Sequence, residues 1–219
     1  MTIQKKISTE RRLTTLLLPG WASSTEILKS YAKSKQCLSL EHPCNDQIIA
    51  VLKSLNIDNL SFQFMTFSMG GFVLHDCLKK LVQKESGLEL LKNCQAWHAF
   101  GLRPAYPLKD VEKVRQSLLK NPAQFLKLFF ENEGQDCQKT PFKNFIEEFD
   151  LERLLAGLNY LESAHLDADF LNSLEVPCFF YQGTRDKIAP FREMKLFSKK
   201  LTKHRLIPLK GSHFSFQDV

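Results

Sequence analysis

Ser68 is the residue whose surroundings most resemble reactive chemistry. It lies in the tract Met65-Thr66-Phe67-Ser68-Met69-Gly70-Gly71, after an apolar run and before residues at helical spacing (Val73, Leu74, Cys77, Leu78, Leu81). A serine on a tight strand-to-helix turn lifts its hydroxyl above a sheet, where it can attack a carbonyl carbon. The full pattern for such a turn is Gly-x-Ser-x-Gly. Here Thr66 takes the first glycine position and Gly70 keeps the second. The same residues also read as a serine helix cap followed by glycines that close a turn.

A serine hydroxyl is a poor nucleophile unless a base lies within hydrogen-bond reach and an acid orients that base. Asp186, in Gly183-Thr184-Arg185-Asp186-Lys187-Ile188, and His213, in Lys210-Gly211-Ser212-His213-Phe214, follow Ser68 in the order serine, acid, histidine. Both come just after short apolar runs, at the strand ends where open α/β sheets hold ligands. Taken singly, Asp186 reads equally as a turn residue or a partner of Arg185 or Lys187, and His213 as a surface residue. His98, near the end of an earlier apolar run, is the alternative base. Acyl transfer also needs donors for an oxyanion. The backbone N–H of Met69 is one candidate, and that of Trp21, beside the permissive Gly20, is the second.

The elements that must position these groups follow from periodicity. Short apolar runs at Leu13 to Leu18, Cys37 to Leu40, Leu60 to Phe67, Cys94 to Phe100, Pro177 to Tyr181 and His204 to Ile207 read as strands. Between them lie helical patterns: one capped by Ser23 or Ser24, one capped by Asp46 and carrying Ile48 to Leu55, one after Ser68, and one over Arg192 to Leu201. This alternation predicts an α/β domain with a mostly parallel sheet and helices on both faces. It stops between Leu102 and Leu171, where Val111, Val114 and Leu118, then Phe125 to Phe129, then Phe145 to Leu155 read as helices inserted between strands.

Composition narrows the rest. At 219 residues and 43% apolar, the chain is long enough to bury roughly 70% of its unfolded surface without staples. No apolar run reaches the roughly 18 to 20 residues that span a bilayer. The run Leu13 to Leu18 after Lys5, Lys6, Arg11 and Arg12 is too short for a signal peptide, so a cytosolic location is expected. Six scattered cysteines, with no Cys-x-x-Cys pair, favour reduced thiols over disulfides or a metal site. Thirty basic against 24 acidic residues give +6, with no nucleic-acid-binding motif.

Leu18-Pro19-Gly20-Trp21, Phe67-Ser68-Met69-Gly70-Gly71, the Asp186 segment and Gly211-Ser212-His213-Phe214-Ser215-Phe216 together resemble the α/β-hydrolase superfamily. Within it, the chain is most similar to the short carboxylesterases that demethylate pimeloyl-acyl carrier protein methyl ester in biotin synthesis. The likeness covers both ends of the sheet and leaves the helical middle unmatched. It implies a compact α/β-hydrolase fold with residues 1–101 and 172–219 as core and 102–171 as a helical cap. It also implies Ser68 as nucleophile, His213 as base, Asp186 as acid and the Trp21 and Met69 amides as oxyanion donors, with no cofactor or metal. Pro19 and Thr66 depart from the usual pattern, and the extra N-terminal strands of larger hydrolases are missing.

The resemblance further implies a substrate ester carried on an acyl carrier protein, and a monomer is expected. Lys109, Lys113 and Lys120 share one helical face and, with Arg103, offer a basic surface for such an acidic carrier. An ordinary solvated face fits the same spacing. Phe125, Phe129, Phe130, Phe142, Phe145 and Phe149 suit an acyl channel or, more simply, the cap's own core. Two other readings share these residues: a thioesterase or general acyl hydrolase with the same triad, and a non-catalytic hydrolase-fold protein that binds an acidic partner.

Overall fold

The computed structural model describes residues 13–29, 36–41, 44–133, 135–138 and 142–214, apart from the side chain of Ile27. Six strands form one sheet: β1 (Thr14–Leu18), β2 (Gln36–Ser39), β3 (Phe62–Phe67), β4 (Cys94–Phe100), β5 (Cys178–Gly183) and β6 (Arg205–Leu209). Their order is β2-β1-β3-β4-β5-β6, and every neighbouring pair is parallel. The strands of the sheet's centre read as almost continuous apolar runs because both faces are covered, as in β1 (TTLLL) and β3 (FQFMTF).

The connections put the C-terminal ends of all strands at one rim. Helix α1 (Thr25–Lys29) links β1 to β2, and α2 (Asn45–Ile57) returns past β1 to β3 on its other side. Right-handed crossovers that run in opposite directions place α1 and α2 on opposite faces. The direction of winding therefore reverses between β1 and β3. That reversal opens a crevice at their carboxyl ends, where ligands bind in such sheets. The loop after β1 carries Trp21, and the turn after β3 carries Ser68.

Helix α3 (Met69–Leu81) packs on β1 and β3, and α4 (Glu85–Leu91) leads into β4. Between β4 and β5 the chain forms α5 (Leu108–Lys120), α6 (Pro122–Asn132), α7 (Phe142–Glu148), α8 (Leu151–Leu161) and α9 (Ala168–Ser173). The two legs of this insertion are stitched together at its base. Ala105 and His165 form an antiparallel bridge, and the Leu166 N–H donates to the Pro104 carbonyl at 2.8 Å. Beyond that neck, α9 returns to the sheet domain, where the Phe170 ring meets the His75 ring edge-on at 5.1 Å. Helix α10 (Phe191–Ser198) covers β5 and β6. Among the described residues no helix is long and apolar enough to cross a membrane.

Three local expectations need correction. Asp46 is not the cap of α2; the helix begins at Asn45 after Cys44, and Asp46 lies in its first turn, where its charge still faces the positive end of the helix. The Ser23 hydroxyl turns back to the Gly20 N–H at 2.9 Å, while the Thr25 N–H is satisfied by the Glu41 carboxylate at 3.1 Å. The stretch Phe145 to Leu155 is two helices, because the Asp150 carboxylate accepts from the Arg153 N–H and starts α8 afresh.

The core is dominated by Phe62, Phe64, Phe67, Phe72, Phe180 and Trp97, all nearly inaccessible to solvent. Trp97 brings a polar N–H into that core, and Thr66 answers it: the indole Nε1–H donates to the Thr66 hydroxyl at 2.9 Å. Residue 66 therefore has a structural reason to be threonine where the usual turn has glycine. Thr66→Val keeps the shape and removes the acceptor. It is expected to cost about 1–3 kcal/mol, because a buried donor is left unpaired. A lower urea midpoint with an unchanged slope would register this; an unchanged midpoint would contradict it.

Candidate active site

Ser68 occupies a strained turn. Its φ of 48° and ψ of −119° are values that non-glycine residues rarely adopt. Neighbouring backbone holds it there. The Ser68 N–H donates to the Phe100 carbonyl at 2.8 Å, and the Gly71 N–H donates to the Ser68 carbonyl at 2.9 Å. The adjoining loop is pressed so close that side chains are excluded. A Cβ on Gly70 would lie 2.5 Å from the carbonyl oxygens of Leu18 and Pro19. One on Gly20 would lie 2.9 Å from the Ser68 Cβ. The small residues after β1 and β3 thus let the two loops meet at the crevice.

Asp186 and His213 come together from the loops after β5 and β6. The His213 Nδ1 lies 2.8 Å from the Asp186 Oδ2, and both side chains are fully buried. The carboxylate is further fixed by the Gln182 amide at 2.8 Å on Oδ2 and by the Ile188 and Ala189 N–H groups at 2.9 and 2.7 Å on Oδ1. A carboxylate so placed accepts, so Nδ1 carries the proton and Nε2 is the basic nitrogen. The imidazole packs against the Phe67 ring at 4.8 Å. Gly101, at φ 59°, leaves it room: a Cβ there would come within 3.0 Å of the His213 Cε1.

Ser68 and His213 line the same cavity of about 980 Å³, under the inserted helices. They are not hydrogen-bonded to each other. The Ser68 hydroxyl instead lies 3.2 Å from the Tyr106 hydroxyl. Burial pushes the Tyr106 hydroxyl up to about 12, so it stays protonated at neutral pH. The Arg103 guanidinium sits 5.0 Å from the centre of the Tyr106 ring. In unliganded sites a nucleophile–base bond is often loose and tightens only with substrate.

Met69 follows Ser68 at the start of α3, and Trp21 lines the same cavity as Ser68. Neither backbone N–H has a hydrogen-bond partner among the described residues. The Trp21 ring is anchored to the inserted helices: its Nε1–H donates to the Leu154 carbonyl at 2.8 Å. Phe125 and Phe129 pack against that ring and line the cavity beside Ser68. Phe145 and Phe149 line a separate cavity of about 370 Å³ on the other side of Trp21. Phe130 and Phe142 are buried core, with Phe130 tilted against the Phe214 ring and Phe142 edge-on to it. The six phenylalanines therefore divide into three pairs with different surroundings.

Lys109, Lys113 and Lys120 are exposed on α5, and Lys120 also lines the cavity. Arg103 does not join them. Only 5% of it is exposed, and its guanidinium is bound by the Glu193 carboxylate at 2.7 and 2.9 Å and faces Asp110 at 3.6 Å. It lines the cavity with its charge already paired and is not free to meet a carrier. His98 does not pair with Asp186 either: its Nδ1 pairs with the Tyr181 hydroxyl at 3.1 Å, and its ring stacks on Phe179.

Two residues at the site carry no sequence signal. One is Tyr106. The other is Glu133, which ends α6 and lies buried at the cavity wall. Its carboxylate accepts from the His213 backbone N–H at 2.9 Å, and its carbonyl accepts from the Ser212 hydroxyl at 2.6 Å. An inserted helix thereby grips the loop that carries the imidazole.

No protein-family model matches the sequence, and no curated protein does. Solved structures do match. An esterase from Exiguobacterium antarcticum superposes with a TM-score of 0.72 at 14% identity, covering 92% of this chain and 85% of that one. A hydrolase from Pseudomonas aeruginosa PA01 gives 0.71 at 13% identity, covering 95% and 85%. An α/β-hydrolase enzyme, MGS-M2, from a Medee basin deep-sea metagenome library gives 0.68 at 14% identity, covering 99% and 87%. The chain has the α/β-hydrolase fold.

Burial holds the Glu133 carboxyl above its ordinary value of 4.5. Just above that pH, the folded chain keeps a proton that the unfolded chain gives up. This contribution to stability therefore falls as pH rises from 4.5 through the raised value. Glu133→Gln is expected to flatten that slope while still accepting the His213 N–H. Glu133→Ala should cost about 1–3 kcal/mol by orphaning that amide. Urea unfolding of the three proteins across the acid-to-neutral range measures both effects; identical pH slopes for wild type and Glu133→Gln would contradict the assignment.

Proposed function

We propose that this protein is a serine carboxylesterase whose nucleophile, base and acid are Ser68, His213 and Asp186. The observation that carries the reading is the buried Asp186–His213 hydrogen bond at 2.8 Å, opening onto the cavity that also holds Ser68 on its strained turn. The fold shared with esterases supports it.

Catalysis begins when the Ser68 hydroxyl leaves Tyr106 and turns to the His213 Nε2. That nitrogen takes the proton as the Ser68 Oγ attacks the ester carbonyl carbon. Negative charge develops on the carbonyl oxygen, which the Trp21 and Met69 N–H groups receive; a single donor of this kind is worth roughly 10²–10³-fold in rate. The imidazolium, held by Asp186, gives its proton to the departing alcohol as the carbon–oxygen bond breaks. A water molecule then attacks the acyl-enzyme with His213 as base, releasing acid and restoring Ser68.

The finer proposal is a methyl ester of a pimeloyl chain on acyl carrier protein, with methanol as leaving group. The cavity wall formed by Val111, Val114, Phe125, Phe129 and Leu158 suits a polymethylene chain. A thioesterase would use the same groups, and comparing oxygen and thioester forms of one acyl chain separates the two. A decayed, non-catalytic site is the weaker reading. Thr66 holds the Trp97 indole, so that departure from the usual pattern has a structural explanation; the one at Pro19 has none.

Ser68→Ala and His213→Ala are each expected to lower kcat for a pimeloyl methyl ester by about 10³-fold or more, with the double variant no worse than either alone. Asp186→Asn should also fall steeply, because it disturbs the tautomer of His213. In a biotin-requiring strain lacking its own esterase, wild type should restore growth and Ser68→Ala should not. Equal rescue by both would remove Ser68 from the chemistry.

A further inference from the structure

The basic residues of this chain are not where a carrier-binding cap would need them. Residues 102–171 contain 9 Lys or Arg against 12 Asp or Glu, a net of −3. The cap's cations are also partly spent: Arg115 pairs with Glu112 and Glu162, Lys127 with Glu131 and Lys143 with Glu147. The segment from 185 to 210 is the opposite. It carries nine Lys or Arg, all exposed, and none is in an ion pair among the described residues. Its two acids are already engaged, Asp186 with His213 and Glu193 with Arg103.

These charges are organised. Helix α10 buries Met194 and Phe197 against the sheet. Its outer face therefore presents Arg192, Lys195, Leu196 and Lys199, which recur at helical spacing. Leu196 is 54% exposed in the middle of that basic face. Edge-strand protection explains Arg205 on β6, the outermost strand, but not the helix. The basic surface also reaches the cavity, since the exposed Lys187 is among the residues that line it, as are Ser68 and His213.

We propose that the α10–β6 edge, and not the cap, is the docking surface for the acidic carrier protein that delivers the ester. This rests on the serine esterase reading above. The charge is complementary to an acidic helical surface. Leu196 supplies an apolar anchor with a charged rim, the arrangement of a protein interface. A tethered acyl chain would enter past Lys187. A nucleic acid would not use Leu196, and the face has no exposed aromatic ring on which bases could stack.

The test separates docking from chemistry by measuring both. Binding is read with pimeloyl-acyl carrier protein methyl ester and the Ser68→Ala protein, which has no turnover on this reading. Adding Lys195→Glu with Lys199→Glu is expected to weaken binding roughly tenfold or more, and Leu196→Ala to weaken it severalfold. Lys109→Glu with Lys113→Glu should change it less than twofold. In the Ser68-containing protein, the α10 pair should lower kcat/KM for the carrier-linked ester by a similar factor and leave methyl pimelate hydrolysis unchanged. High salt should erase the difference between wild type and the α10 pair. Binding lost through the α5 lysines instead, or tighter capture of an RNA oligonucleotide or phosphatidylglycerol vesicles by α10, would overturn the docking surface. Failure of the wild type to hydrolyse either ester would overturn the chemistry while the binding result still decides the surface.

Discussion

The site depends on one geometric constraint: the chain must turn sharply at residue 68 without losing the backbone bonds that hold β3 beside its neighbours. Ser68 meets it at φ 48° because the Phe100 carbonyl and the Gly71 N–H fix its two backbone groups. Such a conformation costs on the order of 1–3 kcal/mol and persists only where surrounding structure over-determines it. Here the surrounding structure is the close approach of Gly20 and Gly70, whose missing side chains let the loop after β1 lie against the turn. The strain and the tight packing are one arrangement, and it brings the loop after β1 against the turn that carries the Ser68 hydroxyl.

The second support is the buried Asp186–His213 pair. Four contacts on the Asp186 carboxylate, counting His213 itself, leave it little freedom to rotate. Glu133 reaches 80 residues along the chain to hold the His213 backbone. The imidazole is thus positioned from both sides, by the sheet through Asp186 and by the inserted helices through Glu133. Trp21 adds a parallel link, since its indole is tied to Leu154 of α8 while the preceding Gly20 lies against Ser68. Movement of the inserted helices relative to the sheet would therefore disturb both His213 and Trp21, the groups proposed as base and oxyanion donor.

Much of this was legible from sequence because it rests on short-range pattern. Apolar runs marked all six strands, and the turn glycines marked the crevice. The helices α4 and α9 were not expected. Helix α4 is seven residues long with Gly87 inside it, and α9 is six residues long, so neither develops a clear helical period. Asp150 and Asp167 were readable as helix caps, and Asp150 would have divided the run from Phe145 to Leu155. Long-range contacts were illegible. Nothing in a sequence says that Arg103 would be buried against Glu193, or that Tyr106 would hold the Ser68 hydroxyl. The charge imbalance between 102–171 and 185–210 can be counted in the sequence, but which of those charges are paired cannot.

The most direct measurement is mass spectrometry of the protein quenched during turnover of a slowly deacylating ester. A covalent acyl adduct on the peptide containing Ser68, absent when His213 is replaced by alanine, is the predicted result. Steady hydrolysis with no adduct on Ser68, or with the acyl group on another side chain, would contradict the account.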